Sequence, residues 1–259
     1  MGGMTRLLLL LWAGVTVSTA VDLQKRIIRG QKCKIMEHRY HVKLRSDNKT
    51  HESLCGGSLI SDRWILTAAH CWEDGWTMKA DLGVHPGIIT RPVEITEHEI
   101  YNENSKKHDM MLLSFPELSN PTHFPTIKLP KEKDCKNRPH VGDAVQVAGY
   151  GPTTVNPDGT KGNDEPSELQ CASLMVAKCE GICWDKSYQG EAKNYDYTHR
   201  FCGKHSSRDT AKGDSGGGVE FNKMIYGVNV LTGVEACTAP ASFMDVCEYL
   251  PWIKKITGL

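Results

Sequence analysis

Hydrophobic and polar residues alternate over short stretches of this chain, which is typical of β-strands with one buried face. The alternation is clear in Tyr40–Leu44 and again in Ala144–Ala148. Ser58–Ile60 and Trp64–Leu66 are short apolar runs of the length expected for buried strands. The pattern therefore predicts that short strands make up most of the fold.

The C-terminal segment has a different periodicity. From about Val246 to Ile256, Trp252 and Ile253 lie with Ile256 on one apolar stripe of a helix. We therefore expect an α-helix here, with its stripe packed against the core.

The first twenty residues have the features of a secretory signal peptide. Arg6 precedes an apolar stretch, Leu7–Val17, that is too short to span a bilayer, and small residues follow up to Ala20. A signal anchor is the alternative, but a polar segment follows the apolar run at once. We expect residues 1–20 to be removed and the protein to be secreted and extracellular.

Composition narrows the class of protein. The 259 residues include ten cysteines, which favours an oxidising compartment. Lysine plus arginine and aspartate plus glutamate are equal at 31 each, so neither nucleic acid nor a membrane surface is an expected partner. The cysteines and histidines do not fall at zinc-ligand spacings, and we expect no metal and no cofactor.

The strongest candidate for chemistry is Gly213–Gly217, with the sequence Gly-Asp-Ser-Gly-Gly. Glycines permit a tight turn with convergent backbone N–H groups, on which Ser215 would stand exposed. A serine hydroxyl is a weak nucleophile at neutral pH and needs a base and an orienting partner. His70, followed by a cysteine, and Asp109, followed by an apolar run, precede Ser215 in an order known for serine triads. An ordinary glycine turn would explain one motif but not three in this order.

With these three motifs, the chain resembles the trypsin-like serine proteases of the chymotrypsin fold, from about Ile27 to the C-terminus. The resemblance implies an all-β fold of two six-stranded antiparallel β-barrels, with the site between them, and a C-terminal α-helix. Residues 27–259 would form the protease domain, with the first barrel in 27–130 and the second barrel and helix in 131–259.

The family's mechanism implies a role for each motif residue. Ser215 would attack a peptide carbonyl, His70 would move its proton, and Asp109 would orient the histidine. The backbone N–H groups of Gly213 and Ser215 would form the oxyanion hole.

The family also implies activation by cleavage. Residues 21–26 would be a short propeptide ending in Lys25-Arg26, and Ile27 would become the mature N-terminus. By the resemblance, the new α-ammonium of Ile27 would pair with Asp214 and order the oxyanion loop, which is a switch built on a buried ion pair.

Substrate preference would depend on Asp209, six residues before Ser215. In trypsin-like members an aspartate at this spacing binds the Arg or Lys side chain of the substrate. Thr210, Thr232 and Ala241 are further substrate-binding candidates. The alternative is that Asp209 is a surface residue of an Arg-Asp-Thr turn.

Several positions depart from the family pattern. The serine that usually supports the catalytic aspartate is replaced by Val230 or Asn229, and no tryptophan stands in the pocket wall. Ala241 replaces a glycine and would narrow the pocket. Arg29 replaces a glycine after the mature start, and Ala211 stands where a pocket cysteine is usual.

Disulfides also follow from the resemblance. The implied pairs are Cys33–Cys171, Cys55–Cys71 and Cys135–Cys247. Cys202 should pair with Cys183 or Cys179, which spacing alone does not decide, and Cys183–Cys202 is our working assignment. Cys237 could bridge or remain free.

Three loops carry further expectations. Asn48 begins an Asn-Lys-Thr sequon and is a candidate glycosylation site. In calcium-binding trypsins the loop equivalent to Asp81–Gly87 is longer and acidic, whereas here Val84 stands where a ligand glutamate would be expected. The resemblance therefore implies no calcium site, and Glu97 and Glu99 remain the alternative ligands. Pro152–Pro166 is rich in Gly, Pro, Asn and Asp, which predicts a flexible surface loop.

The sequence therefore indicates a secreted serine endopeptidase, made as a zymogen and specific for Arg or Lys. Its partners would be protein or peptide substrates and protease inhibitors, and we expect a monomer. The alternative is a catalytically weak homologue that acts as a binding or scaffold protein. An α/β-hydrolase esterase is excluded by the triad order and by the lack of a repeating strand–helix pattern.

Overall fold

The computed structural model describes residues 27–87, 91–118, 123–180, 195–233 and 235–259. The predicted signal peptide, residues 1–20, and propeptide, residues 21–26, lie outside the described residues.

Short strands make up most of the described chain. In chain order the elements are β1 (Gln31–Lys32), β2 (His41–Asp47), β3 (Glu52–Leu59), β4 (Trp64–Thr67), a 3₁₀ turn (Ala69–Cys71), β5 (Thr77–Leu82), β6 (Arg91–Glu94), β7 (Glu97–Glu103), β8 (Lys106–Ser114), α1 (Glu132–Cys135), β9 (Ala144–Gly149), β10 (Gln170–Ala177), β11 (Tyr195–Asp196), β12 (Arg200–Lys204), β13 (Gly218–Phe221), β14 (Met224–Leu231), β15 (Ala241–Asp245) and α2 (Val246–Thr257).

The second half of the chain forms a closed barrel. Its six antiparallel strands follow the order β10-β12-β15-β14-β13-β9, and β9 also pairs with β10 to complete the ring. The alternating pattern of β9 explains its place, because Val145 and Val147 point into the core while Ala144 and Gln146 are exposed. Phe243 of β15 is fully buried in the same core.

Strands of the first half, joined by β11 from the second, form an eight-stranded sheet in the order β11-β8-β4-β3-β2-β5-β6, with β7 also paired to β8. All described pairings in it are antiparallel except that of β11 with β8. The all-β architecture with a C-terminal helix is thus confirmed. The expected strand count is found in the second half, whereas β6 and β11 extend the first-half sheet beyond six strands.

Helix α2 joins the two halves. Its N-cap Asp245 accepts a hydrogen bond from the backbone N–H of Cys247 (3.0 Å), and Gly258 ends it with a φ of 75°. Tyr249 is fully buried, and its hydroxyl lies 2.8 Å from Nδ1 of His108 in β8. The helix of the second half therefore packs on the core of the first.

Four disulfides are present among the described residues. They are Cys33–Cys171, Cys55–Cys71, Cys135–Cys247 and Cys179–Cys202. The first three are the pairs that the resemblance implies.

The working assignment Cys183–Cys202 is wrong, because Cys202 bonds to Cys179. Ala177 of β10 lies directly opposite Cys202 of β12, so Cys179, two residues further on, lies within 5.2 Å between Cα atoms. Cys183 lies outside the described residues, and Cys237 has no disulfide partner within them.

In the part of the chain that the structure describes, no helix has both the length and the apolar character needed to cross a bilayer.

Candidate active site

His70 and Asp109 form a hydrogen-bonded pair on two neighbouring elements. The 3₁₀ turn after β4 carries His70, and β8, which pairs with β4, carries Asp109. His70 Nδ1 donates to Asp109 Oδ2 at 2.8 Å, and the His70 backbone N–H donates to Asp109 Oδ1 at 2.9 Å. Since a carboxylate only accepts, Nδ1 carries the proton and Nε2 of the neutral ring is left as a base.

A third residue, Tyr197, also binds the aspartate. Its hydroxyl donates to Asp109 Oδ2 at 3.1 Å, and both side chains are buried. Tyr197 thus adds a hydrogen bond to Asp109 beside the two from His70. Sequence reasoning missed Tyr197, because it lies 88 residues from Asp109 and carries no local motif.

The segments that carry His70 and Ser215 contact each other near the Cys55–Cys71 disulfide. The Cys55–Cys71 disulfide closes the segment that precedes His70, and Cys71 Sγ lies 3.8 Å from the Ser215 carbonyl oxygen. The same oxygen accepts a 2.7 Å hydrogen bond from the N–H of Gly56. These contacts limit how far the base can move from the serine.

The turn around Ser215 requires its glycines. Gly213 and Gly216 have φ values of 98° and 80°, which other residues rarely adopt. A Cβ on Gly216 would lie 2.1 Å from Thr67 Oγ1. Hydrogen bonds between described residues use the amides of Asp214, Gly216 and Gly217, but not those of Gly213 and Ser215. The backbone N–H groups of Gly213 and Ser215 are therefore open to bind an anion.

Ser215, His70 and Gly213 line one cavity of about 210 Å³, together with Cys55 and Lys212. The structure thus brings together the predicted nucleophile, base and oxyanion-binding turn. A hydroxyl, a neutral imidazole and open amides at one cavity suit acyl transfer.

Asp214 is buried beneath this turn. Its carboxylate accepts hydrogen bonds from the N–H groups of Gly151 (2.7 Å) and Ala211 (2.8 Å). Burial raises the pKa of Asp214 to about 6, despite those hydrogen bonds. A Cβ on Gly149 would lie 1.9 Å from Asp214 Oδ1, so glycine is required beside the carboxylate.

The segment after the predicted cleavage site is docked nearby. Ile27 and Ile28 are fully buried, and Ile28 forms a bridge to Asp209, whose N–H donates to the Ile28 carbonyl oxygen at 3.2 Å. Ile27 packs in the core of the closed barrel.

Asp209 is buried, and it lies against Thr210 and Thr232, two of the other predicted pocket residues. Its Oδ2 accepts from the N–H of Cys237 at 3.0 Å, and the Thr232 hydroxyl lies 3.5 Å from Oδ1 and 2.7 Å from the Thr210 carbonyl oxygen. Asp209 is therefore not the surface residue that the alternative proposed. Ala241 is also buried, in the core of the closed barrel at the start of β15.

A residue that sequence reasoning missed, Lys161, also binds Asp209. Its Nζ lies 2.8 Å from Asp209 Oδ2, and its side chain is only 9% exposed. The prediction of a flexible surface loop for Pro152–Pro166 is thus wrong at Lys161, because the charge attraction of Asp209 draws this side chain inward. A single lysine in a polar loop carries no signal of such a contact.

Two further predictions concern a glycan at Asn48 and the absence of a metal site. Asn48 lies in an exposed turn between β2 and β3, where its side chain accepts hydrogen bonds from Thr50. Among the described residues, the cluster close enough to hold a metal is Cys55, His70 and Cys71. Its two sulfurs are joined in a disulfide and are not thiolate ligands.

The sequence is similar to those of known proteins of one family. The Trypsin family model matches residues 27–253. Human kallikrein-15 is 31% identical over 267 residues, covering 96% of this chain and 97% of the relative, and rat trypsin-4 is 31% identical, covering 93% and 94%. A Bothrops insularis snake venom serine protease, BITS01A, is 31% identical, covering 93% and 90%.

The fold has a counterpart among solved structures. Neuropsin, a serine protease expressed in the limbic system of mouse brain, aligns with a TM-score of 0.66 at 23% identity. The alignment covers 88% of this chain and 98% of neuropsin.

Proposed function

Because the chain belongs to the trypsin-like serine protease family, we propose that it is a secreted serine endopeptidase that is made as a zymogen and cleaves after Arg or Lys. The observation that carries the proposal is the His70–Asp109 pair at a cavity shared with Ser215. The similarity to a snake venom serine protease is consistent with secretion, as is the predicted signal peptide.

The proposed reaction uses three side chains and two amides. His70 Nε2 takes the proton of Ser215 Oγ as that oxygen attacks the peptide carbonyl, and the open amides of Gly213 and Ser215 bind the oxyanion. His70 then gives the proton to the leaving amine, and an acyl-enzyme forms on Ser215. Water, activated by His70, hydrolyses the ester. Asp109 and Tyr197 hold the imidazole in the required orientation.

The position of Asp214 supports activation by cleavage of a zymogen. Within the described chain, this buried carboxylate accepts two backbone hydrogen bonds but has no cation within ion-pair distance. Cleavage after Arg26 would free the α-amino group of Ile27, and a buried ion pair would then neutralise Asp214. On this proposal residues 1–20 and 21–26 are removed, and residues 27–130 and 131–259 form the two halves of the active enzyme.

Specificity for Arg or Lys is supported by the surroundings of Asp209. A buried carboxylate needs a cationic partner, and the Thr210 carbonyl oxygen and the Thr232 hydroxyl add neutral acceptors beside it. This set suits the ammonium or guanidinium group of a substrate. Protein substrates, protease inhibitors and a glycan at Asn48 complete the proposal for a monomeric enzyme.

One observation favours a second candidate, a catalytically weak homologue that acts by binding. Lys161 already pairs with Asp209, so the proposed subsite holds a cation of the chain itself. The absent wall tryptophan and Ala241 support the same alternative.

The test is a scan of the secreted protein, cleaved after Arg26, with the N-terminus verified as Ile27. Peptide amides with each residue before the scissile bond are compared, with Ser215→Ala as the background. We expect turnover at least about 100-fold above background only after Arg and Lys. Equal turnover after other residues would refute the role of Asp209. No turnover by a protein with the correct N-terminus would favour the binding protein.

A further inference from the structure

We propose that Lys161 is a built-in occupant of the primary specificity pocket, so that the Pro152–Pro166 loop holds the enzyme closed to Arg and Lys substrates until it is displaced. This inference rests on the proposed function, in which Asp209 binds the substrate cation. It adds a regulatory residue from a separate loop of the same chain.

The first support is the complete set of contacts around the Lys161 ammonium. Its Nζ lies 2.8 Å from Asp209 Oδ2, 2.6 Å from the Thr210 carbonyl oxygen and 2.5 Å from Thr232 Oγ1. An ammonium has three hydrogens to donate, and here each has an acceptor. The subsite is therefore filled as a bound lysine side chain would fill it.

The second support is burial. The side chains of Lys161 and Asp209 are 9% and 4% exposed, and Lys161 is the one described cation within ion-pair distance of Asp209. Removing one partner of such a pair leaves an uncompensated buried charge, which is strongly unfavourable. Lys161 can therefore leave readily only when another cation, such as a substrate Arg or Lys, takes its place.

The third support is that the loop is anchored to the pocket wall. The N–H of Ala236 donates to the Gly159 carbonyl oxygen at 3.2 Å, and Thr160 forms a bridge to Glu235. These contacts fix the two residues before Lys161, whose side chain reaches Asp209. Residues 235–236 lie beside Cys237, whose N–H binds Asp209, so one segment contacts both the loop and the carboxylate.

The loop is also braced internally. The carboxylate of Asp164 accepts hydrogen bonds from the backbone N–H and hydroxyl groups of Thr153 and Thr154. These hydrogen bonds, which we call the brace, join the two ends of the loop on either side of Lys161 in the sequence. Loss of the brace should therefore make Lys161 easier for a substrate cation to displace, without changing any group of the pocket.

Competition between Lys161 and a substrate cation for Asp209 predicts a specific change in the kinetic constants. If the pocket is open in only a fraction of molecules, the apparent affinity for a cationic ligand falls by that fraction. A tethered competitor acts at an effective concentration in the millimolar range, whatever the substrate concentration. KM for Arg and Lys substrates should therefore be raised, while kcat, which depends on Ser215 and His70, should change little.

The experiment compares the activated wild-type protein with Lys161→Met and Lys161→Ala. The matched control is Lys255→Ala, because Lys255 is exposed on α2 and its loss changes the net charge equally. We expect both Lys161 variants to lower KM for Arg and Lys peptides at least about 10-fold, with kcat within about 2-fold and Lys255→Ala unchanged. Asp164→Asn, which retains Lys161, should lower KM in the same direction.

Two further measurements separate this inference from the proposed function. Binding of benzamidinium, a small cationic probe, is measured by calorimetry and needs no turnover; it should be at least about 10-fold tighter in the Lys161 variants. Labelling of Ser215 by a fluorophosphonate tests the nucleophile alone. An absence of labelling in all proteins would refute the proposed function, while the calorimetry would still test Lys161.

A measurement on the wild-type chain avoids any folding defect of the variants. Lys161 should acetylate much more slowly than Lys255, and saturating benzamidinium should raise its acetylation rate by displacing it. The inference is overturned if Lys161 is acetylated as fast as Lys255 in the absence of benzamidinium. It is also overturned if saturating benzamidinium does not raise the acetylation rate of Lys161. It is also overturned if benzamidinium binds wild type and Lys161→Met within about 2-fold of each other.

Discussion

In the activated protein, Ser215→Ala should lower kcat by about 10⁶-fold, Asp109→Asn by about 10⁴-fold and Tyr197→Phe by about 10-fold. The gradation follows how directly each side chain takes part in the proposed reaction at Ser215. Alanine removes the nucleophile, whereas asparagine at 109 presents an N–H or a neutral oxygen to His70 and removes the charge that selects the Nδ1–H tautomer. Phenylalanine removes one of the hydrogen bonds to Asp109. The measurement is steady-state turnover of the best peptide amide.

The order of the three losses is the informative result. Benzamidinium affinity should stay within about 2-fold of wild type in all three variants, since the described hydrogen bonds and ion pair of Lys161 and Asp209 are made with other residues. A decrease in kcat for Tyr197→Phe as large as that for Asp109→Asn would contradict the supporting role of Tyr197. Full activity of Asp109→Asn would contradict the triad itself.

The uncleaved protein should lose about 2 kcal/mol of stability between pH 6.5 and 4.5 through His41 alone. Burial, with repulsion from His38, His85 and Lys43, lowers the pKa of His41 to about 3. The unfolded state binds a proton near pH 6.5 and the native state does not. The stabilising contribution is therefore present above pH 6.5 and lost as the pH falls toward 3. Urea unfolding at each pH measures it.

The control is His41→Gln, which cannot gain a charge in this pH range. His41 Nε2 has no hydrogen-bond partner among the described residues, so the substitution breaks no described contact of that atom. The difference between the two proteins isolates His41 from Asp214, whose raised pKa of about 6 acts with the opposite sign. Parallel pH profiles for the two proteins would disprove the prediction.

Local patterns predicted the elements well. Alternation in Tyr40–Leu44 and Ala144–Ala148 corresponds to β2 and β9, and the apolar stripe from Val246 corresponds to α2, which ends one residue later than expected. Period-2 and period-3.6 patterns are properties of neighbouring residues, so they are visible before folding. The extra strands of the first sheet were not predicted, because β11 has only two residues and pairs with a strand far from it in the chain.

The candidate site was predictable where its chemistry is carried by motifs. His70, Asp109 and the Gly213–Gly217 turn each lie in a local sequence that marks a role, and the structure places His70 and Ser215 at one cavity. Cys179 was missed as the partner of Cys202 because Cys179 and Cys183 are equally plausible by spacing. Only the register of β10 on β12 places Cys179 beside it.

The sequence by itself determined the strand-rich class, the order of the three candidate catalytic residues and the presence of a carboxylate six residues before Ser215. Only the tertiary structure decided which groups bind the buried carboxylates of Asp109 and Asp209. Tyr197 reaches Asp109 across 88 residues, and Lys161 reaches the Asp209–Thr210 segment across 49. Such contacts form when barrel strands and loops from distant parts of the chain come together. A buried carboxylate then takes whichever donor or cation the fold brings within reach.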